Sequence, residues 1–216
     1  MTGLFPDLEE RPSWHDLKAR IEAIRRPHRG FRLILADNPW RIAMRSAKGE
    51  KKSPQRHYEC VPTDVLASIE VWRLAATDSV CLMWATWPML EEQIACLKAW
   101  GFVYKSGAPW FKGSKNSEGD DCEDEEWKAA FGTGYLWRSC SELILIGTRG
   151  KPVLSPRRRS VRGAFFDPLR EHSRKPDDQY EKAEALIDGP YLELFSRTDR
   201  KDWTSFGNEA GRFGSA

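Results

Sequence analysis

The sequence predicts an α/β fold with a mostly parallel sheet flanked by helices. Two patterns in its 216 residues lead to this fold class. Apolar, strand-like segments alternate with helical segments towards both ends of the chain, whereas strand-like segments follow one another in the middle. In addition, the first strand-like segment, FRLILA at 31–36, is almost continuously apolar, which is typical of a strand buried on both faces of a sheet.

The individual elements follow from apolar periodicity and from residues that start or stop helices. The first helix has a serine cap and an apolar face of leucine and isoleucine, and Gly101 ends the third helix. In chain order, the predicted elements are a helix over 13–26, a strand over 31–36, a helix over 63–75, a strand over 79–86, a helix over 89–100, strands over 102–113 and 141–150, a helix over 177–187, and strands over 191–196 and 203–208. The chain has no internal repeat.

The composition indicates a globular, cytoplasmic protein. Hydrophobic residues make up 40% of the chain and charged residues 31%, which is enough apolar material for a core. No apolar run reaches the roughly 20 residues that a membrane span requires, and the N-terminal residues have no signal-peptide pattern. The five cysteines form no CxxC pair, so we expect reduced thiols, with neither a metal site nor a disulfide framework.

Charge is distributed unevenly along the chain. Residues 118–126, EGDDCEDEE, carry seven acids and no base, whereas residues 149–175 carry nine basic residues and two acids. The basic run includes PRRRSVRG, with Arg157, Arg158 and Arg159. Two interpretations stay open, a solvated surface or a loop that contacts the phosphates of a nucleic acid.

The predicted sheet also locates a site. In open α/β sheets, ligands bind outside the carboxyl ends of the strands. Polar and aromatic side chains collect at this edge of the sheet, namely Asp37, Thr86, Trp110, Arg197 and Asn208. We therefore expect the functional site there.

The first strand ends on the tetrad Asp37-Asn38-Pro39-Trp40. One interpretation is a turn with a tryptophan packed over it. The other is a binding site for an aromatic amine, because the Asp37 carboxylate and the Asn38 carbonyl are two hydrogen-bond acceptors and Trp40 offers a flat face for stacking. Two acceptors on the amine hydrogens would favour a nitrogen whose lone pair is free to attack an electrophile.

The tetrad DNPW resembles the DPPW motif of the MT-A adenine methyltransferases, which use S-adenosylmethionine. The resemblance covers about residues 31–210 and is supported by an ordered set of segments: HY at 57–58, LMWAT at 82–86, PWFKG at 109–113, SELILIGTRG at 141–150, HSRKPDDQY at 172–180, ELFSR at 193–197 and WTSFGNE at 203–209. It implies a Rossmann-like methyltransferase fold in a circularly permuted order, with the catalytic motif before the cofactor strand.

The resemblance also implies roles for individual residues. The catalytic set is Asp37, Asn38, Pro39 and Trp40. The residues implied to bind S-adenosylmethionine are Asp37, Lys175, Glu193, Arg197, Asn208 and Glu209, with Lys175 on the methionyl carboxylate and Glu209 on the ribose hydroxyls. The resemblance implies that Tyr58 shapes the base pocket, and the full set of predicted substrate-binding residues is Tyr58, Trp110, Lys112, Arg138, Glu142, Arg157, Arg158 and Arg159. No metal is implied.

Structural interpretations of single residues stay open beside these roles. Lys175 followed by proline fits a helix entry, Glu193 could pair locally with Arg197, and Tyr58 alone fits simple packing. His172 alone is more typical of a surface residue. The family usually has proline where this chain has Asn38, and we expect activity to survive an Asn38→Pro change if the backbone carbonyl is the functional group.

Together these observations predict a single methyltransferase domain over 1–216, with a helical extension at 1–30, a catalytic core at 31–210, and substrate-side loops at 113–137 and 151–172. The expected reaction is transfer of a methyl group from S-adenosylmethionine to the 6-amino group of adenine in DNA. RNA is the alternative substrate, and an inactive nucleic-acid-binding relative or an enzyme for a free small molecule are further alternatives. We expect no membrane partner, and a homodimer stays open.

Overall fold

The computed structural model describes residues 16–41, 60–115, 127–132, 136–168, 170 and 174–212. Tyr58, His172 and the acidic run at 118–126 lie outside the described residues. The division into an extension, a core and two substrate-side loops therefore stays a prediction.

Four α-helices and eight strands form within these ranges. The helices are α1 (Leu17–Glu22), α2 (Thr63–Ala67), α3 (Leu90–Ala99) and α4 (Asp178–Leu186). Short 3-10 helices cover Val71–Arg73, Trp87–Met89 and Pro156–Ser160. The strands are β1 (Phe31–Ala36), β2 (Ala75–Ala85), β3 (Val103–Lys115), β4 (Trp127–Ala129), β5 (Ser141–Arg149), β6 (Phe165–Pro168), β7 (Tyr191–Leu194) and β8 (Trp203–Phe206).

The eight described strands form one mixed sheet in the order β4-β3-β5-β2-β1-β7-β8, and β6 pairs with β3. The pairs β1–β2, β1–β7, β7–β8 and β3–β6 are parallel, whereas β5 is antiparallel to β2 and β3. The Rossmann-like α/β fold is thus confirmed. The tetrad at 37–40 follows β1, and β1 precedes β7 in the chain while lying beside it in the sheet.

Apart from Arg32, the central strand β1 is apolar because helices cover both faces of the sheet. Ile34 and Ala36 pack in one core cluster, together with apolar residues of α1, α2 and α3. Leu33 and Leu35 pack in the other cluster, together with Tyr180 and other residues of α4. The alternation of side chains along one strand therefore joins both layers of the core.

The predicted elements differ from the observed ones in several places. The helix predicted over 13–26 ends at Glu22. The predicted helix at 63–75 ends at Ala67, and β2 begins at Ala75, four residues before the predicted start. The short strands β4 and β6 were not predicted; both pair with the long strand β3, so their formation depends on a partner distant in sequence. In the described part of the chain, no helix has both the length and the apolar character needed to cross a membrane.

Strand direction determines which residues meet at the site. β1, β2, β7 and β8 all end at the same edge of the sheet because they are parallel. β5 runs the opposite way, so its first residues, Ser141 and Glu142, lie at that edge beside the end of β2. Trp110 on β3 is paired with Glu142 and reaches the same edge.

Candidate active site

Asp37 is the first residue after β1, and a buried lysine neutralises it. Its backbone N–H donates to the carbonyl of Leu194 at the end of β7, at 3.2 Å. Lys175 Nζ lies 2.9 Å from Asp37 Oδ1 and 3.0 Å from Oδ2. Lys175 precedes α4, so the sheet edge and the start of this helix meet at the ion pair. The resemblance placed Lys175 on the carboxylate of a cofactor, whereas here its ammonium group pairs with Asp37.

Glu142 extends this pair into a row of alternating charges. Lys175 Nζ lies 3.7 Å from one Glu142 oxygen, and Lys112 Nζ lies 2.5 Å from the other. Burial alone would raise the pKa of Glu142, but Lys175 and Lys112 together hold it below its ordinary value. At Asp37 burial is the dominant effect, and the pKa of this carboxyl is raised although Lys175 opposes the shift.

Two buried tryptophans lie beneath the two lysines. Lys112 Nζ is 4.5 Å from the centre of the Trp110 ring, and Lys175 Nζ is 5.6 Å from that of Trp84. The rings meet edge to face at 5.9 Å. Trp110 was predicted to bind substrate, but it is 1% exposed and its indole N–H donates to the carbonyl of Asp167. Its observed role is therefore to support Lys112 from within the core.

Glu193 lies on β7 beside this row and is also buried. It accepts hydrogen bonds from Tyr180 Oη at 3.0 Å and from Ser196 Oγ at 2.8 Å. Burial raises the pKa of Glu193 to about 7, and the nearby Asp37 carboxylate adds to the shift, while Ser196 and Tyr180 oppose it. The open possibility of a Glu193–Arg197 pair is not realised, because Arg197 Nε pairs with Glu209 at 2.8 Å.

Close backbone contact brings the ends of β7 and β8 together. Ser196 N–H donates to the Phe206 carbonyl at 2.9 Å, and a Cβ atom on Gly207 would lie only 2.2 Å from the Ser196 oxygen. Only glycine fits there, and Phe195, which follows β7, has a positive φ of 63°. Asn208 and Glu209 follow Gly207 directly, so this close contact sets their position, with Glu209 beside Arg197.

These residues line a narrow recess that is partly open to solvent and has a cavity volume of about 20 Å³. It is lined by Asp37, Arg174, Lys175, Gln179, Tyr180, Glu193, Phe195, Arg197 and Thr198. Four of the six predicted cofactor residues line it, and Glu209 lies next to it through its pair with Arg197; Asn208 directly precedes Glu209 in the chain. Tyr180 and Trp84 were not among the predicted site residues, although they fall within the segments HSRKPDDQY and LMWAT that carry the resemblance.

The tetrad is a rigid turn. The Trp40 N–H donates to the Asn38 carbonyl at 2.8 Å, and the Val61 N–H donates to the Pro39 carbonyl at 2.8 Å. The Trp40 indole N–H donates to the Trp84 carbonyl at 3.1 Å, and the ring is only 5% exposed. Trp40 therefore anchors the turn in the core. Its ring has no exposed face on which a base could stack, contrary to the interpretation from the sequence.

Arg157 of the basic run lies away from the recess, whereas Arg174 of the same run lines it. Arg157 donates to the carbonyl of Glu184 at 2.9 Å and pairs with Asp188 at 3.0 Å, at the carboxyl end of α4. Lys175 lies at the other end of this nine-residue helix, which is about 13 Å long. The expectation that Arg157 lies on the substrate side of the site disagrees with this placement, and for Arg158 and Arg159 it stays a prediction.

Arg138 differs from these arginines, because it precedes β5 at the same edge as Glu142. Its guanidinium lies 4.9 Å from the centre of the Phe131 ring, and Leu136 and Trp137 beside it are exposed. Lys112, Glu142 and Arg138 are thus the predicted substrate residues that the structure places at the site edge. No group of three or more histidine, cysteine, aspartate or glutamate side chains in the described ranges is placed to hold a metal ion.

The strand order, together with an acidic and basic recess at the carboxyl ends of β1 and β7, defines a Rossmann-like methyltransferase fold. Comparison with known families then makes the assignment specific. The chain belongs to the MT-A70 family, whose model matches residues 31–209.

Several known proteins are similar to this chain at low identity. The MT-A70-like N(6)-adenosine-methyltransferase of Arabidopsis thaliana is 26% identical over 182 residues, covering 83% of this chain and 24% of that protein. The type II methyltransferase M.MunI of Mycoplasma sp is 26% identical over 208 residues, covering 85% of this chain and 79% of that protein. The chain thus spans about a quarter of the plant protein and most of the bacterial one.

Proposed function

We propose that this protein transfers a methyl group from S-adenosylmethionine to the exocyclic 6-amino group of adenine in nucleic acid. The observation that carries the proposal is the position of Asp37, an acceptor paired with a buried lysine at the mouth of a recess lined by further charges. Membership of the MT-A70 family and the names of the similar methyltransferases support the same reaction.

The recess has the side chains that S-adenosylmethionine needs. The cofactor carries a carboxylate, an ammonium group and two ribose hydroxyls, and the recess combines cations and carboxylates that match these groups. Arg197 and Lys175 would bind the carboxylate, Asp37 and Glu193 the ammonium group, and Glu209 with Asn208 the ribose hydroxyls. Bound there, S-adenosylmethionine would supply the electrophilic methyl group.

Asp37 would act on the base by accepting a hydrogen bond from its amine. Lys175 keeps the carboxylate oriented, and Glu142 with Lys112 keeps Lys175 in place. The amine is a poor nucleophile because its lone pair is delocalised, and an acceptor on its hydrogen favours a nitrogen that can attack. The nitrogen loses its proton after the transfer, so the reaction needs no strong general base.

DNA is our preferred substrate. The match covers most of the type II methyltransferase M.MunI. It covers only about a quarter of the N(6)-adenosine-methyltransferase of Arabidopsis thaliana. The same site would accept an adenine of RNA if the base is unstacked.

The test is nucleoside analysis of adenine-containing DNA and RNA oligonucleotides after incubation with the protein and labelled S-adenosylmethionine. We expect N6-methyladenine in DNA with the wild type. Asp37→Ala should lower the rate by about two to three orders of magnitude, because it removes a preorganised acceptor. Asp37→Asn is the matched control of similar size.

Two results would count against the proposal. A folded wild type that binds S-adenosylmethionine but methylates no oligonucleotide would favour an inactive nucleic-acid-binding relative. An Asp37→Ala protein with more than half of the wild-type turnover would show that this carboxylate does not hold the amine.

A further inference from the structure

The side chain of Asn38 has an unexplained environment. The residue is only 3% exposed. Neither its Oδ1 nor its Nδ2 has a hydrogen-bond partner within the described residues. A buried amide without partners is unfavourable, so such a group in a native protein calls for a specific explanation.

The backbone of the same residue is already engaged. The Asn38 carbonyl accepts the Trp40 N–H at 2.8 Å, which closes the turn and occupies one of its two acceptor positions. The sequence suggested this carbonyl as the second acceptor for the substrate amine. The side-chain Oδ1 of Asn38 is a second acceptor in the same residue, and it accepts no hydrogen bond within the described residues.

The chemistry of the amide matches one edge of adenine. A primary amide presents a donor and an acceptor side by side, and adenine presents the N6 amine next to the N7 acceptor. Asparagine forms a bidentate pair with these two atoms. A carboxylate can only accept, so the adjacent Asp37 is suited to the remaining hydrogen of N6.

We propose that the side-chain amide of Asn38 recognises the target base. Nδ2 donates to N7, Oδ1 accepts one N6 hydrogen, and Asp37 accepts the other. The inference rests on the proposed function, because it requires an adenine at this site. It also assigns a role to the position where this chain departs from the DPPW pattern.

This arrangement would distinguish adenine from the other amino base. Cytosine carries a C–H group beside its amine at the place where adenine has N7, so Nδ2 of Asn38 would be left without a partner. Guanine has a carbonyl in place of the 6-amine, so both Oδ1 and Asp37 would face an acceptor. Asn38 is therefore a specificity-determining residue in addition to its place in the catalytic turn.

The test compares adenine with 7-deazaadenine at the methylated position of the oligonucleotide that the wild type modifies. The deaza base replaces N7 by a C–H group and leaves the amine unchanged. For the wild type, we expect kcat/KM to fall by roughly 5- to 150-fold, which is the usual discrimination of one bidentate pair. Asn38→Pro, which restores the family residue, should lose a similar factor on adenine and show less than about a twofold further loss on the deaza base.

Asn38→Leu is a second variant of nearly the same shape that can neither donate nor accept a hydrogen bond at this position. It should also lose sensitivity to the deaza substitution. The affinity for S-adenosylmethionine and the melting temperature of both variants serve as controls for folding. Neither should change appreciably, because the proposed contact is with the base alone.

Each outcome has a defined meaning. A wild type that methylates adenine and 7-deazaadenine equally would overturn the inference without any variant. If the loss from Asn38→Pro and the loss on 7-deazaadenine multiply, the inference is also overturned. The Asn38 amide would then bind a buried water or stabilise the fold. A wild type that methylates no adenine at all would overturn both this inference and the proposed function.

Discussion

The two ends of α4 both carry ion pairs, and they differ mainly in burial. At the amino end, Lys175 is 7% exposed and its partner Asp37 is 20% exposed. At the carboxyl end, Arg157 is 62% exposed and its partner Asp188 is 71% exposed. Water screens the second pair and largely leaves the first unscreened. Similar ion pairs at the two ends of one helix thus form a candidate reactive site at one end and an ordinary surface contact at the other.

The neighbours of each pair sharpen this difference. Lys175 has a second carboxylate, Glu142, within 3.7 Å, and a tryptophan ring beneath it. Arg157 instead donates to the carbonyl of Glu184 in the last turn of α4, which is a helix-terminus interaction. Removal of one charge should therefore have very different consequences at the two ends.

The largest effect is expected for Lys175→Met. It leaves two buried carboxylates without their shared cation, and breaking such a pair costs about 3–5 kcal/mol of stability. Lys175 lowers the pKa of both Asp37 and Glu142, so its removal raises both values. At neutral pH a smaller fraction of Asp37 is then ionised. We expect the pH–rate profile of methylation to shift to higher pH, and urea unfolding to report the loss of stability.

Lys175→Arg is the matched control, because it keeps the positive charge. It should retain most of the stability, and the acidic limb of its pH profile should stay near that of the wild type. An unshifted profile in Lys175→Met would mean that Asp37 does not depend on this cation.

The success of sequence reasoning also differs between the two ends. β1 and α4 were predicted to within a residue or two, because apolar runs and helical periodicity are local signals. The partners of the charges are not local. Lys175 lies 138 residues from Asp37, and Arg157 lies 31 residues from Asp188. A basic run in a sequence therefore does not show whether its charges face a ligand or the end of a helix.

Tryptophan roles were harder to predict for a related reason. The sequence shows that Trp40 and Trp110 stand near strand ends, but an aromatic ring at such a position can face either solvent or core. Both rings are buried here and use their indole N–H groups to fix backbone carbonyls. The cofactor residues stay a prediction, but several of them lie where the ends of β7 and β8 meet, and Gly207 after β8 allows this close packing.

A smaller effect is expected at Glu193, in the recess at the amino end of α4. Its pKa in the folded state is about 7, above its ordinary value of 4.5. Between these values the folded protein binds more protons than the unfolded chain, so stability falls as pH rises from about 4.5 to 7. The total loss from this group is on the order of 3 kcal/mol. Stability at lower pH is unaffected by it, because the group is protonated in both states.

Glu193→Gln should remove this part of the pH dependence, since the amide does not titrate. Urea unfolding of the wild type and the variant at pH 5, 6 and 7 measures it. The free energy of unfolding of the variant, relative to that of the wild type, should increase as the pH rises. Parallel pH curves for the two proteins would show that Glu193 is ionised in the folded state throughout this range.

The smallest effect is expected at the carboxyl end of α4. Arg157→Met is the counterpart of Lys175→Met, and it should lower the free energy of unfolding by less than about 1 kcal/mol, because exposed pairs contribute little.

Replacing Arg157, Arg158, Arg159 and Arg162 together by serine tests the nucleic-acid role of the run. Each lost phosphate contact would flatten the slope of log affinity against log salt by about 0.9 for duplex DNA. We expect an unchanged slope and unchanged methylation, because Arg157 and Lys175 lie at opposite ends of α4, a nine-residue helix about 13 Å long. A slope that flattens by several units would show that nucleic acid extends along α4 to its far end, and that the two ends act on one ligand.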